Sequence, residues 1–442
     1  MIAMKQVFFI LLVVITTAQS SAQTRLYAEE AVAIGIRNNF DLQLLRNDSS
    51  AFALDKAYAN AAFYPRLNAT GGLIYNNNNQ RQIFADTVRA KDGILSNQLS
   101  GSVNLNWTIF SGFRLIAARD KINEFVALGD LNLKNQVLNT SADILNKYYS
   151  IVYGKQQLIA IEEQIEINEE RKKLAENKLQ VGLGAKPELL QATVDLNAQL
   201  AAKLLQQNSI SIFKEQLNQL LNINISTTYD VEDTINVNNQ IVLGDVLNEA
   251  TVTNPTLLLI KKNIDITKLT LKERRAEKYP TVNFLSAYNY FRNDNTTVIN
   301  PFSPLLNVNR GFNYGLSVTI PIFNNYTVKR AILQTKIDLE YLDISYKKRQ
   351  SEIELGIYNA FKTYQMQQKV LALEQENIGL AKENVAVSLQ RFRSGLGIYL
   401  ELREAQKSLE DANRRLFAAQ YNTLLSEIEL KKLKGDLGLG KR

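Results

Sequence analysis

Apolar positions recur along the chain with two different periods. Helical spacing runs through residues 29–62 and 245–277, stretches of about 34 residues, and through the much longer 114–179 and 328–392. It returns in 187–221 and 399–434. Within the long stretches Ile144, Ile151, Leu158 and Ile165 recur at strict sevens, as do Ile357, Tyr364, Leu371, Ile378, Val385 and Phe392. Sustained sevens predict coiled-coil-like lateral packing. The companion positions Gln368, Gln375 and Lys382 are polar, which argues for a wall of shallow helix contacts rather than a two-stranded zipper.

The period changes to two in short segments. Val103, Leu105, Trp107 and Ile109 alternate with Ser102, Asn104, Asn106 and Thr108. Tyr314, Leu316, Val318, Ile320 and Ile322 alternate with Asn313, Gly315, Ser317 and Thr319. Together with less regular partners, these predict strands at about 66–75, 101–110, 281–291 and 312–323. About ten residues with one apolar and one polar face match a transmembrane barrel wall, lipid outside and water inside. Val103, Leu105, Trp107, Ile109, Tyr314, Leu316, Val318 and Ile320 are its expected lipid face. Aromatics at the segment ends, among them Tyr64, Tyr75, Phe110, Phe113, Tyr279, Phe323 and Tyr326, suit interfacial girdles. Two hairpins packed on a soluble core is the competing arrangement. Pro65 and Pro280, each after a tyrosine, end a helix and mark the step from helix to barrel. Pro321 lies where a strand would lose a ladder donor, so an irregularity is expected there.

The whole plan occurs twice. At an offset of 215, NNFDLQLL (38–45) aligns with TNPTLLLI (253–260), and FYPRLNATGGLIYN (63–76) with KYPTVNFLSAYNYF (278–291). At 213, VNLNWTIFSGF (103–113) aligns with LSVTIPIFNNY (316–326), and KLQVGLGAKPELLQA (178–192) with RFRSGLGIYLELREA (391–405). Four blocks in one order at nearly one offset indicate a tandem duplication. The expected organisation is a signal peptide at 1–22, a first repeat at 23–221, a linker at 222–244, a second repeat at 245–434 and a tail at 435–442. Each repeat reads helix, two strands, long helix, a Gly-Leu-Gly turn (within 181–186 and 394–398) and a returning helix.

Composition narrows the function classes. Neither cysteine nor histidine occurs, which removes Cys/His zinc sites, Ser-His and Cys-His nucleophile pairs and disulfides. No cofactor is expected, and no paired-carboxylate constellation stands out as catalytic. The net charge of +7 is spread over helices where Lys and Arg interleave with Asp and Glu, so no nucleic-acid partner is expected. Lys5, an apolar run at 7–15 and Ser20-Ser21-Ala22 describe an export signal, with no cysteine for a lipid anchor.

Lengths then constrain assembly. The long helices span roughly 100 Å and the flanking ones roughly 50 Å, so two short helices match one long one. Four strands cannot close a barrel, and every edge in lipid must be paired. Eight strands from two copies would leave an interior filled by side chains; twelve or sixteen leave a lumen.

With these features the chain resembles the TolC-like outer membrane efflux protein family. The likeness rests on the duplicated plan, the Tyr-Pro steps, the WTIFSG and IPIFNN strand exits and the two Gly-Leu turns, and it covers essentially the whole mature chain. It implies a mainly α fold with a membrane β-barrel: a homotrimer sharing twelve strands in the outer membrane, with a long α-helical barrel crossing the periplasm. It implies a passive exit duct for tripartite efflux or type I secretion, docking a membrane-fusion adaptor and an inner-membrane RND-type or ABC-type pump. The loops 76–99 and 292–310 would face outside the cell. By the same resemblance Glu401 and Glu404 ring the periplasmic entrance, and Glu188 stands at a latch position. Phe392 and Gly397 depart from the family's latch residues, so closure is expected to rest on packing or other pairs. Gly182, Gly184, Gly395 and Gly397 relieve the tight turns, and Leu183 and Leu396 are candidate adaptor contacts. A periplasmic scaffold or adhesin stalk without a pore is the alternative from another class.

Overall fold

A computed structural model describes residues 25–237 and 240–438. The export segment read at 1–22 lies outside these residues. In chain order the elements are α1 (Ala28–Asn38), α2 (Phe40–Ala57), a 3-10 turn (Ala59–Phe63), β1 (Arg66–Ile83), β2 (Val88–Ser111), α3 (Arg114–Gln180) and α4 (Lys186–Leu221). The plan then repeats with α5 (Leu243–Thr253), α6 (Pro255–Ala276), β3 (Thr281–Asn295), β4 (Leu306–Thr319), α7 (Thr327–Arg393) and α8 (Tyr399–Lys434). The chain divides into two compact units, one comprising 48–130 with 259–347, the other the remainder.

The first unit carries an antiparallel sheet in the order β1-β2-β3-β4. Its register decides the faces, because residues directly opposite one another in an antiparallel pair point the same way. Val103 is opposite Ala69 and Tyr288, Leu105 opposite Leu67 and Ser286, and Trp107 opposite Phe284. Phe284 in turn is opposite Leu316, and Tyr288 opposite Phe312. One face is thus largely apolar across all four strands. On the other, the Thr70 and Ser102 hydroxyls are 2.8 Å apart, Asn104 donates to Ser102 at 2.8 Å, and Thr108 donates to Asn283 at 2.9 Å. Ile109 falls in an irregularity between Thr108 and Phe110, and Ile320 and Pro321 follow the end of β4.

The strands are longer than the sequence pattern predicts. β1 and β2 continue as a ladder through most of 76–99, with Ile83 opposite Val88, so this region is largely hairpin instead of loop. Its run Asn76–Asn79 is polar on both faces, although it lies opposite Ser96, Leu95 and Ile94. Backbone pairing holds such a ladder without an alternation that the sequence can display.

The junctions with helices are duplicated in detail. Pro65 and Pro280 each stand immediately before a strand, and Trp107 Nε1 donates to the Phe63 carbonyl at 2.7 Å. Where β2 leaves the sheet, Gly112 and Phe113 are both left-handed (φ 64° and 68°), as are Asn325 and Tyr326 after β4 (51° and 59°). Edge-to-face pairs Phe110–Phe113 and Phe323–Tyr326 brace both exits, with centroids 5.4 and 5.5 Å apart. Gly112 is further required because a Cβ would lie 2.5 Å from the Ala276 carbonyl oxygen.

In the second unit a core of Val32, Ile144, Tyr148, Ile151, Leu217 and Leu221 is joined by Tyr229, Val231 and Ile235 of the inter-repeat stretch. That stretch therefore packs rather than merely connects. Lys155 holds it with ion pairs to Asp230 (2.7 Å) and Asp233 (2.6 Å). Two buried asparagines, 215 residues apart, break the opening helix of each repeat. Asn39 accepts from the backbone N–H groups of Asp41 and Leu42 and donates to the Leu220 carbonyl at 3.0 Å. Asn254 does the same with Thr256, Leu257 and the Leu433 carbonyl at 2.8 Å. Each caps α2 or α6 while fastening it to the end of its own repeat's last helix.

Candidate functional site

The two Gly-Leu-Gly turns close the α3–α4 and α7–α8 hairpins with one geometry. Gly182 and Gly395 are left-handed (φ 76° and 73°). The N–H groups of Leu183 and Gly184 both donate to the Lys178 carbonyl, at 2.8 and 2.9 Å, and those of Leu396 and Gly397 to the Arg391 carbonyl, each at 3.0 Å. These bonds satisfy carbonyls at the end of α3 and α7, the usual work of a glycine-terminated helix. With these N–H groups turned inward, Leu183 and Leu396 stand out 84% and 77% exposed. A Cβ at Gly184 would lie 2.9 Å from the backbone nitrogen of Leu179, so the second glycine lets the returning chain approach.

The acidic residues follow directly. Glu188 and Glu401, duplication partners at an offset of 213, occupy the first turns of α4 and α8, where the helix dipole favours negative charge. Glu401 receives Arg391 Nε at 3.2 Å across its own turn. Glu404 lines a groove with Arg403, Lys407 and Glu410. Glu188 is half-buried.

Behind the turns lies a cluster that the sequence pattern does not reveal. The Arg171 side chain is 2% exposed, and its Nη2 contacts the Asp195 carboxylate at 2.5 Å. Its Nη1 donates to Gln406 Oε1 at 2.7 Å, and its guanidinium lies 5.0 Å from the Tyr399 ring centroid. Asp195 also accepts from Gln191 (2.8 Å) and from the Tyr399 hydroxyl (3.2 Å), with Arg403 Nε at 3.4 Å. Burial pushes the Asp195 carboxyl up, but the Gln191 hydrogen bond and the Arg171 and Arg403 charges outweigh it and hold it below the usual value. Burial also pushes the Tyr399 phenol up to about 12, so it stays a donor at neutral pH.

Two further contacts join the hairpins. Lys178 Nζ lies 3.8 Å from the ring centroid of the buried Phe392, and Arg393 pairs with Glu170. Phe392 thus takes a cation on its face, a contact available to a ring without a hydroxyl.

Arg171 escaped detection because its seam does not look apolar. Beside Ile165, the buried positions of this part of α3 are Gln164, Asn168, Arg171 and Ala175, spaced four, three and four. The spacing was the available signal; the residue types hid it. On α7 the seam companion to Leu371, Ile378 and Val385 falls three residues on, at Glu374, Ala381 and Ser388, instead of at Gln375 and Lys382.

Comparison with known proteins bears on what such hairpins and such a sheet serve. No curated protein matches the chain by sequence. Solved structures match it over nearly their whole length. The outer membrane protein VceC of Vibrio cholerae has a TM-score of 0.75 at 15% identity, covering 92% of this chain and 96% of its own. The CmeC outer membrane channel of Campylobacter jejuni gives 0.75 at 16%, covering 92% and 85%. The MtrE outer membrane channel of Neisseria gonorrhoeae, solved in its open state, gives 0.70 at 14%, covering 92% and 89%. These likenesses establish the fold. The model of a family described as outer membrane efflux protein matches residues 35–222 and 246–436, one block for each repeat. With four strands of matched register, paired Gly-Leu turns and both halves of the duplication accounted for, the chain belongs to the outer membrane efflux protein family.

Proposed function

We propose that three copies assemble into a passive conduit, each contributing β1–β4 to a twelve-stranded barrel in the outer membrane and its long helices to a duct in the periplasm. The observation that carries this reading is the sheet itself. β1 and β4 are its edges, and its apolar face continues across all four strands. In lipid an unpaired edge costs several kcal/mol per exposed polar group, so β4 of one copy must meet β1 of the next. A pore-free scaffold has no use for such a face and is not favoured. The partners are a membrane-fusion adaptor at the Gly-Leu turns and an RND-type or ABC-type pump that supplies the energy. Leu183 and Leu396 are apolar knobs for the adaptor. No step needs a catalytic group.

Glu401 and Glu404 stand one helical turn apart on α8 and, repeated three times, ring the periplasmic entrance with six carboxylates that attract cations. Glu188 adds charge at the matching turn of α4. Light scattering of the detergent-solubilised protein tests the assembly: three chains per particle support the reading, one chain overturns it. The double variant Glu401→Gln, Glu404→Gln tests the ring in planar bilayers. Blockade by multivalent cations weakens about tenfold; unchanged blockade removes the ring from the account.

A further inference from the structure

Charge divides the two faces of the sheet more sharply than polarity does. On β2 the polar face holds Asn104, Ser102, Ser100, Gln98, Ser96 and Ile94, each opposite an even-numbered residue of β1. Beyond Ile94 the register slips, because β2 has two residues, Asp92 and Gly93, where β1 has Asn79 alone. Gly93 is left-handed (φ 66°), as such a bulge favours. One extra residue exchanges the faces of the strand beyond it. Lys91 and Arg89, opposite Gln80 and Gln82, therefore join the polar face instead of the apolar one. Arg66, opposite Asn106, stands on the same face at its other end. Among the described residues no carboxylate occupies a paired position of this face. Asp92 sits in the bulge, and Asp294 of β3 is on the apolar face, where it meets Arg292 at 2.9 Å.

The β3–β4 connection covers the polar face beside these cations. Asn300-Pro301-Phe302-Ser303 forms a tight turn: the Asn300 carbonyl accepts from the Ser303 N–H at 2.9 Å, and Asn300 Oδ1 from the Phe302 N–H at 3.1 Å. Asparagine followed by proline favours such a turn. The same Oδ1 accepts from Arg89 Nη1 at 3.3 Å, which ties the turn to the polar face. Ile94 and Ser96 on that face are 7% and 9% exposed, whereas Leu95 between them, on the apolar face, is 48% exposed. The cover thus lies on the polar side. Phe302 projects from the tip of the turn, almost fully exposed.

We infer that Arg89 and Lys91 of the three copies form a basic ring at the external mouth of the duct, with the Asn300–Ser303 turn folded over the lumen beside it, and that this ring binds multivalent anions. This rests on the trimeric conduit proposed above. Two cations from each of three copies then face one water-filled opening, and rings of Arg and Lys favour anions in such a place. A low-dielectric wall around the opening concentrates their field. The duct thereby carries opposite charge at its two ends, acidic at the periplasmic entrance and basic at the exit.

Full-length trimers in planar bilayers provide the test. No described helix is long and apolar enough to cross lipid, so the external mouth emerges on the side opposite to protein addition. Phytate, a compact polyphosphate, is the probe. From that side it is expected to half-block the channel at a concentration roughly tenfold below that needed from the other side. Arg89→Gln with Lys91→Gln is expected to raise that concentration roughly tenfold. Should the double variant fail to assemble, Lys91→Glu, at an exposed position, is expected to act in the same direction and by as much. Equal blockade from both sides, or blockade unchanged by the substitutions, overturns the ring. The turn is tested separately. Because the chain has no cysteine, Phe302→Cys gives one thiol per copy. Its modification by an anionic thiosulfonate is expected to lower conductance stepwise, one step per copy. Unchanged conductance at complete labelling, verified by mass, overturns the inward fold of the turn. Particles of one chain in the parent protein would instead overturn the conduit, a result that light scattering separates from every conductance outcome.

Discussion

The α3–α4 and α7–α8 hairpins share a turn and differ in what they bury. Both close on a left-handed glycine followed by an exposed leucine, with two N–H groups on one carbonyl and a glutamate in the next first turn. Behind the turn the first hairpin buries an arginine against an aspartate, where the second exposes Asn384 and Ser408. Of the shared features, the left-handed glycine and the doubly accepted carbonyl are what any hairpin that turns this tightly needs. Features confined to one follow what that hairpin packs against: α8 covers Arg171 and Asp195, while Asn384 and Ser408 stay exposed. Duplication supplied the shape, and divergence of a few side chains supplied the asymmetry.

The sharpest way to break that comparison is to remove one member of each pair. Asp195→Ala strands a guanidinium 2% exposed among α3, α4 and α8, and loss of one partner of a buried ion pair costs about 3–5 kcal/mol. Ser408→Ala changes an exposed hydroxyl and is expected to fall within ~0.5 kcal/mol of the parent. Denaturant unfolding followed by helical circular dichroism measures both. Equal effects would mean that the two hairpins are energetically alike.

A second test asks where the repeats should behave identically. Asn39 and Asn254 make the same three hydrogen bonds, each capping a helix and holding the last turn of its own repeat. Asn39→Ala and Asn254→Ala are each expected to cost about 1–2 kcal/mol, as the loss of a capping side chain does. A difference above roughly 1 kcal/mol between them would show that the repeats have diverged in their scaffold and not only in their flanks.

Legibility in the sequence followed the same division. The duplication, the four strands, the helix-to-strand steps at Pro65 and Pro280 and the Gly-Leu turns were readable, because each leaves a local mark: a period, a proline or a glycine at a required φ. The faces of β1 and β3 emerged only from register, since Ser286 and Ala69 sit on the apolar face and Leu285 on the other. The 76–99 hairpin was hidden because the all-polar run Asn76–Asn79 on its first strand carries no side-chain period. The Arg171 cluster was hidden for a different reason. A buried charge is stabilised by partners distant in sequence, 24 residues away at Asp195 and 235 at Gln406, and nothing near Arg171 announces them. Asn39 and Asn254 lay within a block that self-comparison had already aligned. Their function as paired fasteners needed the carbonyls of Leu220 and Leu433, which only the fold brings near.

The smallest effect concerns pH. The groups around Asp195 are Arg171 on α3, Gln191 on its own helix, and Tyr399 and Arg403 on α8, with Glu404, Lys407 and Glu410 lining the adjoining groove. Its carboxyl is held below the ordinary value in the folded protein. A depressed carboxylate contributes stability that is fully present above its unfolded pKa of about 3.9 and disappears as pH falls through the lower folded value. Tyr399, raised to about 12, stays protonated throughout this range. The stability difference between the parent protein and Asp195→Asn should therefore be flat from pH 8 to 5 and shrink only below about pH 4. Unfolding midpoints of the two proteins across that range provide the check. A difference that instead began to shrink near pH 6 would mean that burial outweighs the Gln191 hydrogen bond and the arginines, and raises the carboxyl instead of lowering it.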